Sequence, residues 1–102
     1  MEEKTEYQHI KLGNIYEYIG GTAYQKGQLI IPIRIILDGD YVFIDYRYKY
    51  PNKSQKWNTG NIHHKQYQNL KEYWRRFGVL NEEIYKVWGL LDVKNKVRYK
   101  KL

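Results

Sequence analysis

Two stretches in the first half of the chain alternate apolar and polar residues with the period of a β-strand. Gln28–Leu37 and Tyr41–Tyr50 flank the sequence Asp38-Gly39-Asp40, which is typical of a hairpin turn. Alternation gives the two runs one shared apolar face, formed by Leu29, Ile31, Ile33, Ile35, Leu37, Val42, Ile44, Tyr46 and Tyr48. The pattern therefore predicts a β-hairpin with one buried face and an opposite face that carries Arg34, Asp45, Arg47 and Lys49.

Two registers are possible for this hairpin, depending on which two residues of the turn form its loop. One register pairs Arg34 with Phe43, and the other pairs Arg34 with Asp45. Opposite charges that face each other across strands are favourable, so we expect the second register. Pro32 lacks a backbone N–H, which predicts an edge position or a bulge at that point of the first strand.

Strands are also expected on either side of the hairpin. Asn14–Ile19 is rich in β-formers and stops at the turn signal Gly20-Gly21. Residues 51–60 read as a polar loop with a short strand around Trp57. Leu90–Leu102 alternates apolar and basic residues, which predicts a last strand with an outward basic stripe of Lys94, Lys96, Arg98 and Lys100.

Between the hairpin and this last strand the apolar spacing changes to that of helices. Four residues recur on one face of a predicted first helix, which would end at Gly78: Tyr67, Leu70, Trp74 and Phe77. Asn81 is placed to cap a second, short helix with Glu82 and Glu83 in its first turn, and Gly89 to end it. Helices are therefore expected to follow the strands.

These elements predict a flexible tail over residues 1–9 and a single α+β domain over residues 10–102. The expected architecture is a small twisted antiparallel sheet, of which an SH3-like or OB-like barrel is one form, covered by one or two C-terminal helices. The chain resembles no specific family.

The composition excludes some kinds of site and predicts the compartment in which this domain works. Cysteine is absent, so a disulfide framework or a thiolate metal site is excluded. The sequence MEEKTEYQHI has neither a basic nor an apolar region of the kind found in signal peptides. Pro32 and Arg34 interrupt the longest apolar run, so no membrane span is predicted. We expect a cytoplasmic protein without a membrane partner.

The residues that could support catalysis do not form a recognisable set. His63 and His64 are adjacent, and neighbours on a strand point to opposite faces, so they are poor joint ligands of a metal. Asp38 and Asp40 are turn residues, and Asp45 has Arg34 as a structural partner. Ser54 lies in a lysine-rich loop without an obvious base. We therefore expect no catalytic residues, no metal and no cofactor.

Charge and aromatic content point instead to binding. The formal net charge is +7, and residues 92–102 contain five cations and one acid. Twelve tyrosines and three tryptophans exceed what a core of this size buries, and exposed rings are expected at Tyr24, Tyr41, Tyr50, Trp57 and Tyr67. AT-rich codons also enrich lysine and tyrosine, and lysines guard strand edges against aggregation, so both alternatives to a polyanion partner remain open.

The leading hypothesis from the sequence is a non-enzymatic nucleic-acid-binding domain that neutralises phosphates and stacks on bases. Its expected contacts are Lys53, Lys56, Trp57, Lys65, Lys71, Arg75 and Arg76, together with the basic stripe Lys94, Lys96, Arg98 and Lys100. The alternative is a protein that binds and inhibits an acidic or nucleic-acid-binding host protein. In composition the chain resembles accessory proteins of phages and mobile elements, including anti-CRISPR and other anti-defence proteins. A homodimer is also possible.

Overall fold

The computed structural model of the protein describes residues 1–20, 26–50, 56–94 and 96. In these residues short strands lead into a long hairpin, and helical segments follow the last strand. The strands are β1 (Glu2–Lys4), β2 (Glu6–Tyr7), β3 (Ile10–Lys11), β4 (Asn14–Tyr18), β5 (Leu29–Asp38), β6 (Tyr41–Lys49), β7 (Asn58–Lys65) and β8 (Trp74–Val79). A 3-10 helix (Leu70–Glu72) precedes β8, helix α1 (Glu82–Val87) follows it, and residues 91–94 are again helical.

The strands form one main antiparallel sheet in the order β7-β6-β5-β4-β8. Strand β1 pairs with the second half of β5, beside the place where β4 pairs with its first half. Strands β2 and β3 form a separate small hairpin. This order leaves β7 and β8 as the two edges, so within the described residues the sheet does not close into an SH3-like or OB-like barrel.

The central hairpin β5–β6 forms in the register that charge complementarity favours. Arg34 lies opposite Asp45, and Ile36 lies opposite Phe43. The register shifts between Pro32 and Arg34, which confirms the bulge expected at the proline. The first half of β5 is more deeply buried than predicted, because Leu29–Ile33 is buried at every position. Consecutive buried residues mean that both faces of the sheet are covered there.

Different elements cover the two faces of the sheet at β6. On one side, the ring of Tyr46 meets the ring of Trp74 from β8, with the centroids 5.6 Å apart. On the other side, Arg47 forms an ion pair with Asp92 of the helical segment, at 3.2 Å. The C-terminal helical residues therefore cover one half of the sheet face that carries Arg47. The other half of that face, toward Tyr41, stays open.

The predicted helix through Tyr67 and Phe77 is wrong, because those residues span the 3-10 helix and strand β8. Trp74 pairs with Tyr18 of β4 and is buried, whereas Phe77 is 57% exposed. Pairing with a distant strand has overridden the helical spacing. Gly78 is consequently a strand residue that lies opposite Ile15 and ends no helix.

Three further expectations are corrected near the chain's ends and in the loop before β7. The first nine residues, expected as a flexible tail, contain β1 and β2, because β5 offers β1 an open pairing edge. Residues 91–94 are helical instead of extended, with Lys94 N–H donating to the Leu90 carbonyl at 2.9 Å. Residues 97–102 of the predicted strand lie outside the described part. The short strand expected around Trp57 within residues 51–60 does form, but it starts at Asn58 and is longer, running to Lys65; residues 51–55 also lie outside the described part.

Strand β4 and helix α1 form where the sequence predicts them. The Asn81 side chain caps α1 by accepting from the Ile84 N–H at 2.9 Å. Gly89 follows the helix with φ of +68°, a conformation that favours glycine. In the described part of the chain, no helix has the length and apolar character that a bilayer crossing requires.

Candidate functional site

Three aromatic rings lie side by side on the open half of the sheet, and we call Tyr41, Phe43 and His63 the aromatic platform. Phe43 faces His63 directly across β6 and β7, with ring centroids 5.7 Å apart. Tyr41 is 6.4 Å from Phe43 and 5.9 Å from His63 by the same measure. Phe43 is 40% exposed and Tyr41 39% exposed, so the rings offer their surface to a partner.

The alternation of β6 explains why the platform exists. Val42 and Ile44 point into the core, so Tyr41 and Phe43 must point to the opposite face. Residues directly opposite in an antiparallel pair share a face, which brings His63 beside Phe43. Aromatic side chains gathered on the solvent face of a sheet are a common mark of a binding surface.

A cation and a fourth aromatic ring border the platform at one end. Lys65 lies opposite Tyr41, and its Nζ is 5.9 Å from the centroid of the Tyr67 ring. Tyr67 is 81% exposed, as the sequence analysis expected. Tyr67 and Lys71 line one surface groove together with Gln8, and Tyr67 and Lys65 line the adjoining groove. Aromatic and basic groups thus continue from the platform along residues 65–71.

The other end of the platform has balanced charge. Asp45 is two residues after Phe43 on the same face of β6, and it lies opposite Arg34 of β5. Arg34 in turn forms an ion pair with Glu3 of β1, at 3.5 Å. The Lys65 end also has acidic groups, because Asp38 lies opposite Tyr41 and Asp40 lines the groove of Lys65 and Tyr67. None of the ion pairs in the described residues includes Lys65 or Lys71, so these two lysines are the cations that a polyanion would meet beside the rings.

The predicted contact residues do not all lie together. Lys65 and Lys71 flank Tyr67, near the platform. Trp57 is half-buried instead of exposed: its ring stacks on that of Trp88, with centroids 5.7 Å apart, and Lys49 lies over both rings. Lys56 is exposed just before Trp57. Lys53, like the aromatic candidate Tyr24, lies outside the described residues.

The remaining predicted cations fall on two other elements. Arg75 and Arg76 are exposed on the edge strand β8, and Arg75 forms an ion pair with Glu17. Lys94 forms an ion pair with Glu82 of α1, while Lys96 is exposed. Because Lys94 belongs to a helix, the predicted basic face of a strand is not formed there. Arg98 and Lys100 lie outside the described residues.

The sequence analysis missed Phe43 and His63 as binding residues. In the sequence analysis Phe43 is named only as a possible cross-strand partner of Arg34, and His63 only as a possible metal ligand. His63 and His64 do point to opposite faces, since His64 stacks on Tyr73 with centroids 5.5 Å apart. Phe43 alternates with the apolar residues Val42 and Ile44, and this alternation alone predicts that Phe43 points to the other face. Only the register of β6 and β7 shows that His63 lies beside it.

Comparison of the chain with protein-family models, curated proteins and solved structures gave no match. The described residues contain no cluster of three His, Asp or Glu side chains placed to hold a metal ion.

Proposed function

We propose that the protein binds single-stranded nucleic acid on the aromatic platform and does so without catalysing a reaction. The observation that supports this function is the set of three exposed rings, 5.7 to 6.4 Å apart, on two adjacent strands. Unpaired bases stack on such rings with little regard to sequence, at about 1–3 kcal/mol per base. A cysteine-free chain also suits the reducing cytoplasm.

The charges near the platform define how the strand would lie. Its bases would stack on Tyr41, Phe43 and His63, while its phosphates would run toward Lys65 and Lys71. Two phosphate contacts predict a shallow dependence of affinity on salt, because each released counterion changes the logarithm of affinity by about 0.7 per logarithm of salt for single strands. Stacking would therefore contribute more of the affinity than charge does.

Fluorescence anisotropy with a labelled single-stranded oligonucleotide tests this function. Phe43→Ala should weaken binding by about 5-fold to 150-fold, which corresponds to the loss of one stacked base. The matched control is Val87→Ala, which removes an exposed apolar side chain from α1 and should leave binding unchanged. Absence of binding at low salt, or equal affinities for Phe43→Ala and the wild type, would refute the proposal.

A second candidate function is the binding and inhibition of a host protein, as accessory proteins of phages and mobile elements do. The edge strand β8 favours it, because Phe77 and Val79 are 57% and 49% exposed beside Arg75 and Arg76. An unpaired edge is a ready template for another chain, and the arginines suit an acidic or nucleic-acid-binding partner. The same edge could join two copies of this chain.

Variants of the two surfaces separate these functions. Binding to a purified partner that survives nuclease and high salt, and that Phe77→Glu abolishes while Phe43→Ala preserves, would favour the protein target. Analytical ultracentrifugation of the wild type and Phe77→Glu would detect a homodimer formed through β8. Loss of all binding after nuclease treatment would count against this second function.

A further inference from the structure

A cavity lies in the seam between the two edges of the sheet. Strands β7 and β8 share no ladder in the described residues, and side chains bridge them. His64 of β7 stacks on Tyr73, which immediately precedes β8, with ring planes inclined by 24°. These two rings and the apolar side chains of Ile30, Ile62 and Trp74 line a cavity of about 160 Å³.

A buried polar side chain faces this cavity without a partner. Gln28 lines the cavity and is only 3% exposed. In the described ranges its side-chain amide makes no hydrogen bond, although its backbone carbonyl accepts from the Tyr18 N–H at 2.9 Å. The Gln28 amide can therefore pair its donor and its acceptor with a molecule that enters the cavity.

A tyrosine hydroxyl provides a second polar group in the same wall. Tyr46 lines the cavity, is 8% exposed, and its hydroxyl also makes no hydrogen bond in the described part of the chain. Burial raises the pKa of Tyr46 above its ordinary value, so the hydroxyl keeps its proton at neutral pH and can donate. Tyr18 adds a further ring to the wall.

The size and the walls of the cavity together define a ligand class. The cavity matches the volume of about 150 Å³ that accepts benzene in an engineered protein core, so it holds one six-membered ring. Its aromatic walls suit a planar group. The Gln28 amide presents a donor and an acceptor side by side, and it complements a ring edge that has an N–H next to a carbonyl.

We propose that the seam cavity binds one pyrimidine base of the uracil type. The base would lie among the rings of Tyr18, Tyr46 and Trp74, with its N–H and carbonyl paired to the Gln28 amide. Ile62, His64 and Tyr73 are half-buried, which places the mouth of the cavity at the seam. The site goes beyond the function proposed above and does not depend on it, because Tyr46 and Phe43 point to opposite faces of β6.

The base could come from a free nucleoside or from a strand. His63 of the platform and His64 of the cavity are neighbours on β7, so a strand stacked on the platform could pass this edge and insert one base. The chemistry of recognition is the same in both cases. The two sources differ in whether binding requires the platform.

NMR titration of the full chain with uridine, and separately with a short oligouridine strand, tests the proposal. Uridine should shift the Gln28 side-chain amide and the methyl groups of Ile30 and Ile62 with saturation. Gln28→Leu, which keeps the size but removes the amide, should weaken uridine binding at least tenfold. Should that variant not fold, Ile62→Phe fills the cavity instead and should abolish uridine binding in a folded protein.

Phe43→Ala is the matched control, because it alters the platform and leaves the cavity intact. Uridine affinity should be unchanged in this variant whichever source is right. Oligouridine that binds no more tightly than uridine supports a free nucleoside as the source, whereas tighter oligouridine binding that Phe43→Ala weakens supports a strand. No cavity shifts with millimolar uridine, or equal binding of uridine by Gln28→Leu, would overturn the proposal. If uridine also leaves the cavity unshifted, oligouridine shifts confined to the platform would overturn the cavity proposal and leave the proposed function standing.

Discussion

Gly60 lies against the aromatic ring of Tyr46, so closely that a Cβ atom at position 60 would come within 2.8 Å of the ring. The two residues are directly opposite in the pairing of β6 and β7. Any side chain at position 60 must push the ring aside, and overpacking of this kind costs about 1–3 kcal/mol. Gly60→Ala should therefore lower the free energy of unfolding by about this amount, measured by denaturant titration.

Gly78→Ala provides the control for that variant. Gly78 is also a strand glycine, but a Cβ atom there would meet nothing within 4 Å. Its substitution should change the free energy of unfolding by less than about 0.5 kcal/mol. Equal losses in the two variants would show that the contact with Tyr46 is not the cause of the effect.

The hairpin β5–β6 could be predicted because its determinants are local. The turn at Gly39, the alternation of both arms, the bulge after Pro32 and the pairing of Arg34 with Asp45 all lie within the 23 consecutive residues from Gln28 to Tyr50. Helix α1 was predictable for the same reason, since the residue that caps it, Asn81, and the glycine that ends it, Gly89, lie close to it in the sequence. Local signals that agree with each other make a reliable prediction.

Strand β8 could not be predicted, because its structure depends on a partner far away in the chain. Trp74 pairs with Tyr18, and these residues are 56 positions apart. The spacing of Tyr67, Leu70, Trp74 and Phe77 fits a helix by coincidence, and only β4 decides against it. The candidate sites share this limit: Phe43 meets His63 through the register of β7, and Gln28 meets the cavity only after β7 and β8 are in place.

Stability should fall at alkaline pH because burial raises the pKa of two tyrosines, Tyr16 and Tyr46, above the ordinary value of 10.0. In the unfolded chain both hydroxyls ionise near that value, whereas in the folded chain they ionise at higher pH. Their contribution to stability is therefore complete below about pH 10 and is lost as the pH rises through the folded-state pKa values.

Unfolding measured from about pH 8 to about pH 12 checks this expectation. Tyr46→Phe removes one of the two hydroxyls, so its free energy of unfolding should decline less steeply above pH 10 than that of the wild type. Tyr67→Phe, which removes the hydroxyl of an exposed tyrosine, is the matched control. A profile for Tyr46→Phe that parallels the wild type throughout would contradict the assignment.

The stack of Trp57 on Trp88 should attach helix α1 to the sheet. Trp57 directly precedes β7, and Trp88 is the C-cap residue of α1. The planes of the two rings are inclined to each other by 29°. Lys49 Nζ lies 5.4 Å and 5.7 Å from the two ring centroids. Aromatic pairs of this kind add about 0.5–1.5 kcal/mol beyond the area that they bury.

A double-mutant cycle with Trp57→Leu and Trp88→Leu isolates that contribution. Each single variant should destabilise the protein, and the double variant should lose about 0.5–1.5 kcal/mol less than the two single losses combined. Losses that add to within about 0.3 kcal/mol would show that the rings do not stabilise each other. Hydrogen exchange at α1 adds a local readout: if the stack holds the helix to the sheet, Trp57→Leu should speed exchange in α1 even though Trp57 is outside it.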